Sequence, residues 1–226
     1  MREGFHQDIG SIIATLASTG ADCEQMLDDA VQALVAGDRR RVEEVAARDL
    51  EVDRTYQQVQ QSALRLLALQ APVARDLRVL TAALNVNIHI ERMGDYAVHV
   101  ARAVRYTHSR TDPGLLRAVE DMSAAAVQVS RRALRSFAER DPELARQVPS
   151  LDDRVDDHNV EILGLLLSPA RAGRTDRADL EWATRMAMVA RAVERFADHA
   201  VDISEQTVFA VTGDNVEFSS SQSRAV

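Results

Sequence analysis

Residues that crosslink or interrupt a chain are scarce in this sequence of 226 residues, which has one cysteine, five prolines and nine glycines. The single cysteine, Cys23, excludes an intrachain disulfide and fits the reducing cytoplasm. Aromatic residues make up only 4% of the chain, whereas alanine, valine, leucine, arginine and acidic residues are abundant. This composition predicts an all-α soluble protein.

The sequence also lacks the charge and the apolar runs that several classes of protein need. Its formal net charge of -8 argues against a nucleic-acid-binding protein, which would present a basic surface. The residues after Met1 form no apolar signal-peptide core, and no stretch approaches the roughly 20 apolar residues that span a bilayer. We expect a cytoplasmic protein that meets a membrane only through its partners.

Apolar residues at helical spacing, separated by turn residues, predict six helices. Their approximate ranges are 5–35, 39–68, 73–106, 115–139, 142–167 and 177–211. The turn sequence Thr111-Asp112-Pro113-Gly114 divides the chain most clearly, so we place a first three-helix unit at 5–110 and a second at 111–212. Residues 213–226 are polar and serine-rich, which predicts a flexible tail.

The two units are copies of each other. A constant offset of 103 residues, without gaps, places Asp76-Leu77 on Asp179-Leu180 and Glu91-Arg92 on Glu194-Arg195. One offset that serves three successive helices indicates an internal duplication. Because short connections make neighbouring helices antiparallel, the sequence predicts two tandem three-helix bundles.

Each unit carries two pairs of acidic residues spaced four apart, which places both members of a pair on one helix face. One pair lies on the second helix, with its first aspartate in a heptad seam, and the other lies in the motif Glu-Arg-x-x-Asp-x-Ala-Val of the third helix. Both pairs are nearly equally far from the turn that joins their helices, so they should face each other. The first tetrad is Asp49, Asp53, Glu91 and Asp95, and the second tetrad is Asp152, Asp156, Glu194 and Asp198.

Four carboxylates in a partly buried seam repel one another and lose solvation. Arginines such as Arg92 and Arg195 could relieve that cost, and the acids would then be salt-bridged flanks of amphipathic helices. Metal ions would relieve it as well. A set of oxygen ligands favours magnesium, manganese, calcium or iron over a structural zinc site, which prefers cysteine and histidine. Both explanations stay open, although matched pairs in two units favour metal.

A carboxylate-bridged, metal-dependent enzyme, either a hydrolase or an oxidase, is the main functional alternative. A di-iron bundle of the ferritin type needs Glu-x-x-His motifs on two bundle helices, and the only such motif here joins Glu3 and His6. His199, next to Asp198, could assist a metal but is better explained as a polar residue at a helix edge. No glycine-rich phosphate loop, nucleophile elbow or Cys–His arrangement is present. A helical scaffold without metal is a third possibility.

Three features of the first unit resemble the PhoU phosphate-signalling family. They are Asp49 followed by Asp53, Pro72 followed by Asp76-Leu77-Arg78, and Glu91-Arg92-Met93-Gly94-Asp95. The second unit is similar to that family's degenerate copy, in which Asp152 and Asp156 are followed by Glu-Arg-Phe-Ala-Asp-His-Ala at 194–200. The resemblance covers residues 5 to 212.

The resemblance implies tandem PhoU-like three-helix bundles with multinuclear iron, manganese, magnesium or zinc at the two tetrads. It implies a non-enzymatic negative regulator that restrains a sensor histidine kinase when phosphate is sufficient, through contact with the ATPase subunit of the phosphate ABC transporter. It also implies a homodimer. The second copy has Ala197 in place of Gly94 and Glu181 in place of Arg78, so its site is expected to differ in occupancy or affinity.

Overall fold

The computed structural model describes residues 2–106, 112–171 and 177–218, with the side chains of 2–3 and 169–171 left aside. Within these ranges the chain is helical and contains no strand. The helices are α1 (Arg2–Ala36), α2 (Arg39–Gln70), α3 (Ala74–Arg102), α4 (Pro113–Glu139), α5 (Pro142–Ala145), α6 (Pro149–Arg171) and α7 (Arg177–Thr212), and a 3-10 turn (Ala103–Tyr106) follows α3.

Aspartates begin three of these helices. Asp38 accepts a hydrogen bond from the backbone N–H of Arg40 at the start of α2, and Asp141 accepts two from the first turn of α5. Asp112 does the same for Gly114 at the start of α4, where Pro113 fills a position that needs no N–H donor.

The predicted fifth helix is two helices in the structure. α5 ends at Ala145, and α6 begins only at Pro149, because a proline ring clashes with the preceding turn and leaves no N–H for an intrahelical bond. Val148, which the heptad pattern places in the seam, lies in the break but is still fully buried. The predicted end of this helix near 167 is also wrong, since α6 continues to Arg171. Gly173, which we expected to help end the helix, lies outside the described residues.

The two three-helix units predicted from the repeat are present, and they pack into one body with a continuous core. α3 and α7 run antiparallel along the middle. The side chain of Asn85, in the first half of α3, donates a hydrogen bond of 2.9 Å to Gln206 near the end of α7. At the other end, the guanidinium carbon of Arg185, early in α7, lies 4.2 Å from the ring centre of Tyr106, which follows α3. α1 packs on α4, where the buried Glu24 accepts a hydrogen bond from Ser130 at 2.8 Å.

This packing makes α1, α3, α4 and α7 an inner four-helix layer, with α2 outside α1 and α3, and α6 outside α4 and α7. Each predicted tetrad therefore lies between one inner and one outer helix. The start of the predicted tail contacts α7. The backbone N–H of Phe218 donates a hydrogen bond to Glu205, and the ring of Phe218 packs against the core. No helix in the described ranges is long and apolar enough to cross a membrane.

A shared core predicts that damage to one unit destabilises both. Phe196 is fully buried on α7, at the position that corresponds to Met93 on α3. We expect Phe196→Ala to cost about 3–5 kcal/mol, because the cavity it leaves cannot fully collapse. Denaturant unfolding followed by hydrogen exchange should show equal loss of protection in α3 and α7.

Leu180 on the same helix is 59% exposed and serves as the control. Its replacement by alanine should change the free energy of unfolding by no more than about 0.5 kcal/mol. If Phe196→Ala released α6 and α7 while α1 to α3 kept full protection, the single shared core would be disproved.

Candidate functional site

The first tetrad is brought together as predicted, with Asp49 and Asp53 of α2 facing Glu91 and Asp95 of α3. Partial burial is the main cause that raises the pKa of Asp49 to about 6. The negative charges of the other three acids add to the effect. Burial also raises the pKa of Glu91, with Asp95 as the next contributor. The four groups therefore act on one another electrostatically.

The second tetrad repeats this arrangement between α6 and α7 and is more buried. Asp152 is only 5% exposed, and burial raises its pKa to about 7. Asp156, Asp198 and Glu194 contribute to that shift in the same direction. The carboxyl in the heptad seam is thus the most strongly perturbed acid of each tetrad.

Arginines neutralise the acids of the inner helices. Arg92 donates to Asp95 at 3.0 Å and lies 3.4 Å from Glu91. The corresponding Arg195 donates to Asp198 at 3.1 Å. The salt-bridge explanation therefore accounts for the pair on α3 and, with Arg191 pairing Glu194, for the pair on α7.

The seam aspartates of the outer helices are a different case. Within the described ranges, neither Asp49 nor Asp152 forms an ion pair, although Arg102 is near enough to oppose the raised pKa of Asp49. Desolvated carboxylates without a paired cation are costly. Bound metal would remove that cost, and an all-carboxylate donor set fits hard ions such as magnesium, manganese or iron.

The two tetrads differ where the sequence has glycine in one copy and alanine in the other. A Cβ atom built on Gly94 would lie 3.0 Å from Oδ1 of Asp49, closer than most real contacts of this kind. The missing side chain lets the Asp49 carboxylate approach α3. In the second copy the methyl group of Ala197 occupies that place and is fully buried.

Sequence reasoning missed a third cluster, on the inner helices. Nδ1 of His89 lies 3.2 Å from Nδ1 of His199, and both lie 3.3 Å from Oδ2 of Asp202. In the part of the chain that the structure describes, only these three could offer metal-ligand atoms that all lie within 4.8 Å of one another. Among the described residues, no three acids of either tetrad offer ligand atoms that lie this close together.

The internal repeat could not predict this cluster, because the cluster joins the two units. The offset of 103 residues places Ala192 opposite His89 and Tyr96 opposite His199, so the cluster has no copy. Only the antiparallel register of α3 and α7, which the sequence does not state, brings the histidines together. Their nearness to the acids along the chain was the one available signal.

The raised pKa of Asp152 predicts a pH-dependent stability. Its ordinary pKa is 3.8 and its folded value is about 7, so the folded protein binds more protons between those values and loses stability as the pH rises through them. We expect Asp152→Asn to stabilise chelator-treated protein at pH 8 by about 1–3 kcal/mol, with a gain that shrinks towards pH 4. Urea unfolding at several pH values measures it.

The exposed neighbour Asp153 is the matched control, and Asp153→Asn should leave the pH profile nearly unchanged. An equal gain from both variants, or a gain that does not vary with pH, would show that Asp152 is not desolvated.

Comparison with known proteins gives the same repeat. The family model for the PhoU domain matches residues 16–104 and again 119–207, separated by the same offset. The PhoU homolog 1 of Mycobacterium tuberculosis, a phosphate-specific transport system accessory protein, is 31% identical over 94% of this chain and 95% of its own length. The PhoU homolog of Zymomonas mobilis is 28% identical over 93% of this chain and 88% of its own.

Solved structures agree with the fold. The crystal structure of PhoU from Pseudomonas aeruginosa has a TM-score of 0.82 and 26% identity, covering 93% of this chain and all of that one. PhoU from Streptococcus pneumoniae has a TM-score of 0.86 over 95% of this chain and all of that one, and its 20% identity supports the fold alone. The curated relatives are accessory proteins of a transport system, which confirms the expectation of a non-enzymatic role. The chain belongs to the PhoU family.

Proposed function

We propose that this protein regulates phosphate uptake as a cytoplasmic, metal-binding adaptor. It links the ATPase subunit of the phosphate ABC transporter to a sensor histidine kinase and holds the kinase inactive when phosphate is sufficient. An accessory role in phosphate transport follows from the relatives. The two partners, the metal and the negative direction of control are the parts that need experimental tests.

The observation that carries the proposal is the pair of matched tetrads, each with a desolvated seam aspartate. Asp49 with Glu91 and Asp152 with Glu194 would hold the ions between an outer and an inner helix. The candidate metal ligands are the eight acids of the two tetrads. Bound cations would supply positive charge to a surface that is otherwise negative.

The charge of such a surface decides which partners it can meet. Carboxylates without a bound cation repel an acidic or phosphate-bearing protein. A cation held by those carboxylates can also bind the acidic or phosphate group of the partner and so link the two proteins. The same ions would hold α2 against α3 and α6 against α7, because removing them restores repulsion across each seam. Metal occupancy would then set both the shape and the charge of the outer helices.

The outer helices also carry exposed apolar side chains. Leu64 on α2 and Leu167 on α6 occupy equivalent positions and are 52% and 51% exposed. Leu69 on α2 and Val160 on α6 are exposed as well, at 67% and 70%. Such residues gain from burial in a contact, which supports the proposed homodimer or a partner surface on these helices.

Gly94 tests whether the first tetrad holds metal. A methyl group at this position presses on Asp49, so Gly94→Ala should weaken manganese binding at the first tetrad by about 10- to 100-fold, the range typical of a misplaced ligand. Calorimetric titration in an Asp152→Asn background isolates this site. Gly10→Ala is the control, since a Cβ there meets nothing within 4 Å. Equal affinity in both variants would contradict the assignment.

Capture from phosphate-replete cells tests the adaptor. The tagged protein should retain the transporter ATPase and the sensor kinase, and Asp49→Asn combined with Glu91→Gln should reduce both at least about tenfold, the loss expected when a charge-dependent contact is removed. Glu43→Gln with Glu44→Gln changes two exposed acids of α2 and should have little effect.

Two outcomes would overturn the adaptor. Undiminished capture by the tetrad variant, without a thermal shift on adding manganese, iron or magnesium, would leave a plain helical scaffold. Robust phosphate-ester hydrolysis or oxygen consumption that Glu91→Gln abolishes would favour the enzyme instead.

A further inference from the structure

His89, His199 and Asp202 form a compact cluster between the inner helices, and the tetrads do not include any of them. Their three facing atoms are separated by 3.2, 3.3 and 3.3 Å, which is close to an equilateral triangle. Ligands on a tetrahedral zinc ion, with bonds of about 2.0–2.1 Å, are about 3.3 Å apart. The cluster therefore already has the spacing of one face of such a coordination sphere.

Hydrogen bonds alone are a poor explanation for why these three atoms lie so close together. If Nδ1 of His89 and Nδ1 of His199 both carried hydrogens, Oδ2 of Asp202 would have to accept both bonds while the two donors lie only 3.2 Å apart. If only one carried a hydrogen, that hydrogen would have to serve both the other ring and Asp202, at 3.3 Å from each ring. A metal ion bound to all three atoms would satisfy them together.

The surroundings suit a metal as well. The side chain of His89 is 21% exposed, that of His199 is 13% exposed and that of Asp202 is 41% exposed, which leaves a path for an ion and a free coordination position. The ring of Tyr96 stacks on His199 at 5.7 Å and 27°, which fixes the plane of the imidazole. Support of this kind around a ligand is typical of functional metal sites.

We propose that His89, His199 and Asp202 bind one divalent transition-metal ion of the zinc, cobalt or nickel class, separate from the carboxylate sites. Two imidazoles and one carboxylate form a softer donor set than either tetrad, so the two kinds of site select different metals. Because His89 belongs to the first unit and the other two ligands to the second, the ion would fasten α3 to α7. A water molecule or an anionic group would complete its coordination.

Cobalt is the probe, because tetrahedral cobalt(II) absorbs visible light far more strongly than octahedral cobalt. Full-length, chelator-treated protein carrying Asp49→Asn and Asp152→Asn is titrated with cobalt, followed by displacement with zinc. We expect a tetrahedral spectrum that saturates at one ion per chain. His89→Ala should weaken this binding by about 100-fold or more, as removal of a direct ligand should exceed the loss caused by its supports.

Alanine is a fair replacement at 89, because alanine already stands at the corresponding position 192 in the same interface. Asp202→Asn provides a second variant that keeps the shape of the side chain. His158→Ala removes a histidine of α6 that lies beside Glu161 and should leave the spectrum unchanged.

The proposal is overturned if the protein gives no tetrahedral spectrum, or if His89→Ala and Asp202→Asn both bind cobalt as tightly as their parent. It is also overturned if the spectrum appears only when Asp49 and Asp152 are intact, because the tetrads would then be the cobalt ligands. Failure here leaves the manganese and partner tests of the carboxylate sites unaffected.

Discussion

Burial of a carboxyl group in a helix seam is the constraint on which the arrangement of both units depends. Asp49 and Asp152 occupy positions of a heptad pattern whose other members are mostly apolar. Burial disfavours their charged forms, and facing acids on α3 and α7 disfavour them further. Arginines pair with acids of the inner helices, whereas Asp49 and Asp152 form no ion pair within the described ranges, so each unit keeps one acid whose charge a bound ion would stabilise.

The inner helices connect the two kinds of candidate site. α3 presents Glu91 to α2 and His89 to α7, within one turn of each other. Burial mainly determines the raised pKa of Glu91, while Arg92 and then His199 of the other unit act in the opposite direction. A charge that binds at the histidine cluster would therefore be felt at Glu91, since a protein interior screens charges less than water does. The two sites are candidates for mutual influence.

Much of this could be predicted from periodicity. The heptad seams placed Asp49 and Asp152 in buried positions, and the constant offset placed the two tetrads in equivalent places. The apolar spacing predicted one helix across Pro149, where the structure has two helices with a break between them. The cluster of His89, His199 and Asp202 was out of reach, because it depends on the register between two helices that are distant in sequence, and no local pattern encodes that register.

One difference between the copies lies where they meet. The tetrads keep all eight acids, whereas the α3–α7 interface pairs His89 with His199 on one side of the pseudo-symmetry axis and Ala192 with Tyr96 on the other. On that other side the smaller alanine borders a cavity of about 460 Å³, also lined by His99 and Met188. A duplicated chain that needed only two equal acidic sites would have no use for this asymmetry. The interface is thus the part of the fold where the two units together form a cluster that neither contains alone.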